Sequence, residues 1–122
     1  MKVSERLPPV LLREYRDRHE LMAVFTGDEA PARATRCGVE MVEAVEAARR
    51  PGETVAVGVG VTSGEVIYGP IGSRSRMDFT VIGDVVNTAA RLCGAAGPGQ
   101  VLVGASARES CGQPDGIAFE EL

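Results

Sequence analysis

Tryptophan is absent from this sequence of 122 residues, and aromatic residues of any kind make up only 4% of it. The hydrophobic core therefore has to be built from Val, Ile, Leu, Ala and Met side chains, which are plentiful. No apolar run approaches the roughly 20 residues of a membrane span, and the N-terminus lacks an apolar signal segment. These features predict one globular domain in the cytoplasm.

Cysteine and histidine are also scarce, and acidic residues outnumber basic ones. The three cysteines, Cys37, Cys93 and Cys111, have neither zinc-finger nor redox-motif spacing, and their odd number favours reduced, mostly buried thiols. His19 is the only histidine, and a lone histidine is more often structural or exposed than a metal ligand. A net charge of -4 argues against a nucleic-acid-binding domain, which usually carries a basic patch.

The hydrophobic pattern predicts alternating strands and helices, and residues 10–18 could form a short charged helix or a loosely ordered arm. Because hairpin and helical elements mix, we expect an α+β fold with helices packed on a largely antiparallel sheet. The predicted elements are a buried strand at 21–25, a helix at about 30–49, a strand at 55–61, a hairpin turn at 62–64, a return strand at 65–71, a strand at 79–82, a helix from residue 84, a strand at 100–103, a short helix at 105–111 capped by Ser106 and a last strand from residue 117.

Glycines alternate with valines in the strand at 55–61. Gly58 and Gly60 fall on the side opposite the valines, and small residues there allow another element to pack closely. A phosphate-binding loop is the other interpretation of such glycines. The stretch lacks both the Lys-Ser/Thr pair of a P-loop and the G-x-G-x-x-G spacing of a dinucleotide site, so the strand interpretation is preferred.

The most informative stretch runs from residue 77 to residue 92. It predicts a strand, a turn at Gly83 and a helix with Asp84 as its N-cap. Asn87 and Arg91 lie four residues apart on the polar side of this helix, opposite its apolar residues. A guanidinium can hold phosphate oxygens through several donors, and an amide beside it can orient a sugar or a reacting oxygen. An ordinary solvated helix face is the alternative.

Four stretches of this chain resemble the catalytic domain of class III nucleotidyl cyclases, the adenylate and guanylate cyclase family. They are LMAVF at 21–25, GVGVTSGEV at 58–66, GPIGS at 69–73 and, above all, RMDFTVIGDVVNTAARL at 76–92. We therefore divide the chain into a divergent arm, residues 1–19, and a partial catalytic domain, residues 20–122. The resemblance implies a ferredoxin-like, mostly antiparallel sheet and two catalytic domains paired head to tail, with active sites between them.

The resemblance also implies roles for three residues. Asn87 matches the family's ribose-orienting asparagine, and Arg91 matches the arginine that stabilises charge at the transferred phosphorus. Thr80 stands where the family has a purine-selecting residue, and threonine there is similar to the adenylate cyclases, so ATP is favoured over GTP. An ordinary strand residue is the alternative for Thr80. The family uses Mg²⁺ or Mn²⁺ and releases pyrophosphate as it forms the cyclic nucleotide.

The chain also departs from the family. The opening strand that carries the first metal-binding aspartate has no counterpart, and His19 stands at the position of the second, although Mg²⁺ prefers oxygen ligands. Tyr15 stands at the position of the purine-selecting lysine, and the sequence ends at Leu122, before the strand with a phosphate-binding lysine. We expect no metal ligands in this chain, unpaired strand edges, and either dimerisation or marginal stability.

Two functions fit this mixture of retained and missing residues. In the first, the chain supplies Asn87, Arg91 and Thr80 to a metal-competent cyclase domain and is very weak or inactive alone or as a homodimer. In the second, it is a non-catalytic remnant or interaction module of a decayed cyclase. Activity on mixing with a competent domain distinguishes the two.

Overall fold

The computed structural model describes residues 10–15, 17, 19–53, 56–65, 67–73 and 76–122. Strands and helices are mixed along the chain, and two of the three strand pairs are antiparallel, which confirms the predicted α+β class. The elements are β1 (Val10–Tyr15), β2 (Glu20–Phe25), α1 (Ala30–Ala48), β3 (Val59–Val61), β4 (Ile67–Ser73), β5 (Arg76–Ile82), α2 (Asp84–Ala95), β6 (Val101–Val103) and α3 (Ala105–Cys111).

Residues 10–15 are a strand, so the prediction of a short helix or loose arm was wrong. The strand pairs antiparallel with β2 along its whole length, from Val10 opposite Phe25 to Tyr15 opposite Glu20. The charges that suggested a helix lie on a strand because backbone pairing with β2 outweighs the weak helical preference of such a short segment.

The sequence predicted a buried strand at 21–25, but β2 is half-buried, so this prediction was wrong in its burial. Met22 and Val24 are partly covered, whereas Leu21 is 54% exposed and Ala23, between the two covered residues, is also exposed. The alternation places one face of β2 toward the interior and leaves the other toward solvent, as in an antiparallel sheet covered on one side.

The core lies where α1 covers the parallel pair of β3 and β6. A Cβ added at Gly38 of α1 would lie 3.1 Å from Cγ1 of Val59 and 3.4 Å from Cγ1 of Val101, so the absence of a side chain brings the helix down onto both strands. Helix α3 packs beside α1, where the Thr35 hydroxyl and the Cys111 thiol are 3.3 Å apart in a buried contact. All three cysteines are free thiols, as predicted, with Cys37 and Cys93 partly buried and Cys111 buried.

The predicted hairpin at 62–64 was wrong, because β3 pairs with β6, far along the chain, and β4 pairs with β5. The backbone explains the preference: the Val59 amide donates to the Gln100 carbonyl, and the Val61 carbonyl accepts from the Gly104 amide. The antiparallel turn lies instead between β4 and β5, where Ser73 faces Arg76. Residues 74 and 75, between the two strands, lie outside the described residues.

Three smaller predictions were also wrong. The N-caps of α2 and α3 are Gly83 and Gly104 rather than Asp84 and Ser106, although Asp84 still opens α2, where the helix dipole favours a carboxylate. Residues 117–119 form no strand. The Arg108 guanidinium lies 4.0 Å from the centre of the Phe119 ring, so the segment folds back onto α3 instead of pairing with a sheet.

Within the described part of the chain each strand has a single bonded partner, so each strand has one open edge. β2 is hydrogen-bonded only to β1 and β3 only to β6, so no bonded strand among these residues joins the two pairs. Both pairs nevertheless pack against α1. Unpaired strand edges are what the sequence analysis led us to expect.

Candidate functional site

Helix α2 lies in direct backbone contact with β3, and Gly60 makes this contact possible. A Cβ at Gly60 would lie 2.5 Å from the Cys93 nitrogen and 2.6 Å from the Ala89 oxygen, closer than real Cβ atoms approach backbone. At Gly58 a Cβ would lie 2.9 Å from the Ala96 oxygen, just beyond the end of the helix. The close packing predicted for these two glycines is therefore present, and it fixes the middle and the end of α2 on the strand.

The first turn of α2 is held by the residues that follow β3. A Cβ at Gly64 would lie 2.5 Å from Cγ2 of Val85, so the valine occupies the space that a side chain would need. Two residues earlier, the Thr62 hydroxyl donates a hydrogen bond of 2.9 Å to the Val85 carbonyl. Together these contacts fix the start of the helix as firmly as Gly60 fixes its middle.

With one side of α2 against β3, Asn87 and Arg91 are left on the other. Both side chains are exposed, whereas the contact residues Val85, Ala89 and Cys93 are partly buried. Among the described residues neither Asn87 nor Arg91 has a hydrogen-bond or ion-pair partner, so their donors are available. The structure thus brings together the amide and the guanidinium that the sequence placed on one face, one turn apart.

Thr80 lies on β5, the strand that leads into α2. Its backbone faces Gly69 of β4, and four positions separate it from Asp84, the first residue of the helix. Strands β4 and β5 pair along seven positions each and pack chiefly against one another. Thr80 is therefore carried by the hairpin, and Asn87 and Arg91 are carried by the helix that follows it.

Among the described residues, no group of three or more His, Cys, Asp or Glu side chains is arranged to hold a metal ion. His19, at the position of the family's second metal-binding aspartate, is exposed and has a backbone φ of 50° in the turn before β2. An imidazole nitrogen is a poor match for Mg²⁺, which prefers several oxygen ligands.

Sequence reasoning missed Thr62, which was assigned to a hairpin turn. The signal was present, because a β-branched residue with a hydroxyl directly follows β3 and stands two positions before Gly64. Its partner, the Val85 carbonyl, lies 23 residues further along the chain, and no local pattern indicates that pairing.

The description "Adenylate and Guanylate cyclase catalytic domain" belongs to a family model that matches residues 22–121. The chain belongs to this family. Its members form cyclic nucleotides from nucleotide substrates, generally depend on metal ions and typically act as dimers. The match includes the whole of α2 and the strands that position it.

Several known proteins are similar to this cyclase-family chain. The uncharacterized protein Rv1318c of Mycobacterium tuberculosis is 45% identical over 60 residues, which cover 48% of this chain and 11% of that protein. The uncharacterized protein Rv1319c of the same organism is 32% identical over 103 residues, which cover 76% of this chain and 19% of that protein. The chain therefore spans about a fifth or less of the length of these curated relatives.

A solved structure shows the same arrangement of elements. The crystal structure of the guanylyl cyclase Cya2 superimposes with a TM-score of 0.68 at 25% sequence identity, over 90% of this chain and 66% of Cya2. This likeness supports the cyclase-type sheet expected from the sequence. None of the helices in the described part of the chain is long and apolar enough to cross a membrane.

Proposed function

We propose that this chain contributes the transition-state half of a composite nucleotidyl cyclase site, with Asn87 and Arg91 as its catalytic residues. The proposal rests on how α2 presents the side chains of Asn87 and Arg91. They lie side by side on the exposed face of α2, free of partners in the described structure, while Gly60 holds the opposite face against β3. A helix held this closely can present two donors to a ligand with little reorganisation.

The proposed reaction joins the ribose 3′ oxygen of a nucleoside triphosphate to its own α-phosphorus. The new O–P bond forms as the bond between the α-phosphorus and the bridging oxygen breaks, pyrophosphate leaves, and the 3′ hydroxyl loses its proton. Arg91 stabilises the negative charge that develops on the α-phosphoryl oxygens, and Asn87 orients the ribose for in-line attack.

We propose that the metal-binding carboxylates come from a partner cyclase domain rather than from this chain. Divalent ions, when bound there, neutralise the triphosphate and activate the 3′ oxygen. This chain alone, or paired with a second copy, is then expected to be very weak or inactive. The proposal is supported by the poor match of His19 to a magnesium ligand and by the lack of an acidic cluster among the described residues.

A paired arrangement is supported by the β4–β5 hairpin. Its strands pack mainly on each other, so the hairpin that carries Thr80 is available to a second domain. We propose that Thr80 accepts a hydrogen bond from the adenine amino group and that ATP is preferred over GTP. The reaction is proposed to take place in the cytoplasm, where nucleoside triphosphates are supplied.

The test mixes this chain with a metal-competent cyclase domain whose own transition-state asparagine and arginine have been replaced by alanine. In that mixture the only site that holds both metal ligands and an intact asparagine–arginine pair takes its helix from this chain. Cyclic nucleotide formation from Mn²⁺-ATP and Mn²⁺-GTP is measured for each protein alone and for the mixture at several concentrations. We expect activity only in the mixture, more with ATP, and its loss in Arg91→Ala.

Failure to rescue any competent domain contradicts the catalytic proposal and favours the interaction module or remnant. Metal-dependent activity of this chain alone contradicts the assignment of the metal ligands to a partner. In that case His19 and Asp17, two positions apart in the sequence before β2, are the first residues to replace.

A further inference from the structure

Thr62 has defined contacts for both branches of its side chain. The hydroxyl donates to the Val85 carbonyl at 2.9 Å, in a partly buried contact with the first turn of α2. The methyl group, Cγ2, lies 3.5 Å from the place where a Cβ at Gly104 would stand. Because Gly104 is the N-cap of α3, the threonine lies beside the starts of two helices.

The rotamer of Thr62 is consequently determined by its surroundings. β-branched side chains are already restricted about χ1, and here the hydroxyl and the methyl each point at a separate neighbour. The backbone of the preceding residue is fixed too, since the Val61 carbonyl accepts from the Gly104 amide at 2.8 Å. The hydroxyl is thus held at a fixed point at the end of β3.

The bond made by this hydroxyl joins two elements rather than two residues of one helix. Val85 is the second residue of α2, and its carbonyl also lies at the position that accepts the amide of Ala89 in a regular helix. Asn87 and Arg91 follow on the same helix, and their positions relative to β3 depend on where this turn sits. Gly60 determines how close α2 comes to β3, but this contact alone does not determine the position of α2 along its own axis.

We propose that Thr62 is a positioning residue for the cyclase reaction, which sets the placement of α2 along β3 and through it the placement of Asn87 and Arg91. This inference rests on the proposed function of those two residues. The hydroxyl supplies a directional bond, and the methyl keeps that bond aimed at Val85. No contact between Thr62 and the nucleotide is required.

The test compares two matched substitutions in the mixture with a metal-competent domain. Thr62→Val keeps the shape and removes the hydroxyl, and Thr62→Ser keeps the hydroxyl and removes the methyl. Because small misplacements of catalytic groups are costly, we expect Thr62→Val to lower kcat roughly 10- to 100-fold. We expect KM to change little, and Thr62→Ser to restore most of kcat. A purely structural role for packing predicts the reverse order, with Ser the more damaging.

Thr88→Val is the control on the same helix. The Thr88 hydroxyl donates to the Asp84 carbonyl at 3.0 Å, so its bond lies within α2 and does not tie the helix to β3. We expect this variant to retain kcat close to that of the original chain. A fall in kcat equal to that of Thr62→Val contradicts the inference, because it would assign the effect to the helix itself.

A double-mutant cycle tests whether Thr62 acts through Asn87. In an Asn87→Ala background, Thr62→Val should have much less effect on kcat than it has alone, since part of what it positions has been removed. If the two effects multiply in full, Thr62 does not act through Asn87 and the inference is wrong on that point.

Amide exchange separates this inference from the proposed function. Thr62→Val should speed exchange of the Ala89 amide roughly fivefold, the loss expected for one hydrogen bond, and Thr62→Ser should not. If the mixture makes no cyclic nucleotide, the proposed function fails, while the exchange result still shows whether Thr62 fixes α2. Unchanged exchange in Thr62→Val overturns the inference whatever the activity.

Discussion

Helix α2 and the β4–β5 hairpin are neighbours along the chain, yet they are supported in different ways. The helix meets β3 through backbone contacts that only glycine permits at residue 60, and the Thr62 hydroxyl fixes its first turn. The hairpin is held chiefly by the pairing of its own two strands. The Asn87–Arg91 pair and Thr80, which are proposed for one active site, therefore lie on elements that differ in how they contact the rest of the fold.

This difference matches the different functions that are proposed for the helix and for the hairpin. Segments with few packed contacts open at lower free-energy cost than the core does. Asn87 and Arg91, which are proposed to stabilise a developing charge and orient the ribose, are on the element that is packed against β3. Thr80, which is proposed to select a base, is on the element that a partner domain can still complete.

The largest effect is expected from Arg91→Ala in the mixed assembly. Removing one preorganised donor to a developing oxyanion typically costs a factor of about 10²–10³ in kcat. Because Arg91 is exposed and has no partner among the described residues, unfolding midpoints should change little. Product formation and urea denaturation of the same preparation measure both quantities, and a large loss of stability would contradict the assignment.

Gly60→Ala tests whether the contact between α2 and β3 is as tight as its distances indicate. The new methyl would stand 2.5 Å from the Cys93 nitrogen, so α2 has to move, and we expect a loss of about 1–3 kcal/mol in the free energy of unfolding. The same variant should lower kcat in the mixture, because Asn87 and Arg91 move with the helix. Unchanged stability would show that α2 is not seated on β3.

A smaller change is expected from Thr80→Val, which keeps the β-branched shape suited to a strand. Loss of one hydrogen bond, about 0.5–1.5 kcal/mol, should reduce the preference for ATP over GTP roughly three- to tenfold. The ratio of kcat/KM for the two nucleotides measures this effect directly. An unchanged ratio would mean that Thr80 is only a strand residue and that the hairpin carries no base selection.

The smallest effect, and of opposite sign, is expected from Gly94→Ala. Gly94 lies in the last turns of α2, and a Cβ there would meet nothing within 4 Å. Alanine should therefore stabilise the helix by about 0.5–1 kcal/mol without moving it. Urea denaturation measures the free energy of unfolding of this variant and of Gly60→Ala. If both variants are destabilised, the inference that one face of α2 is packed and the other is open is contradicted.

The sequence by itself determined α1, α2 and α3, the position of Asn87 and Arg91 on the polar face of α2, and the close approach at Gly58 and Gly60. These features rest on helical periodicity and residue size, which act over one or two turns of chain. The residues of the proposed site could thus be named before their surroundings were known. Of the residues proposed for the site, only Thr62, which is proposed to position α2, was not identified from the sequence.

The tertiary structure alone decided which strands pair and what holds α2 in place. Residues 10–15 form a strand because they pair with β2. Strand β3 pairs with β6 rather than with β4, the next strand in the sequence. Thr62 found its partner on a helix 23 residues away. The physical reason is that backbone hydrogen bonds between strands, and the contact of a helix with a sheet, join residues whose separation along the chain leaves no local pattern.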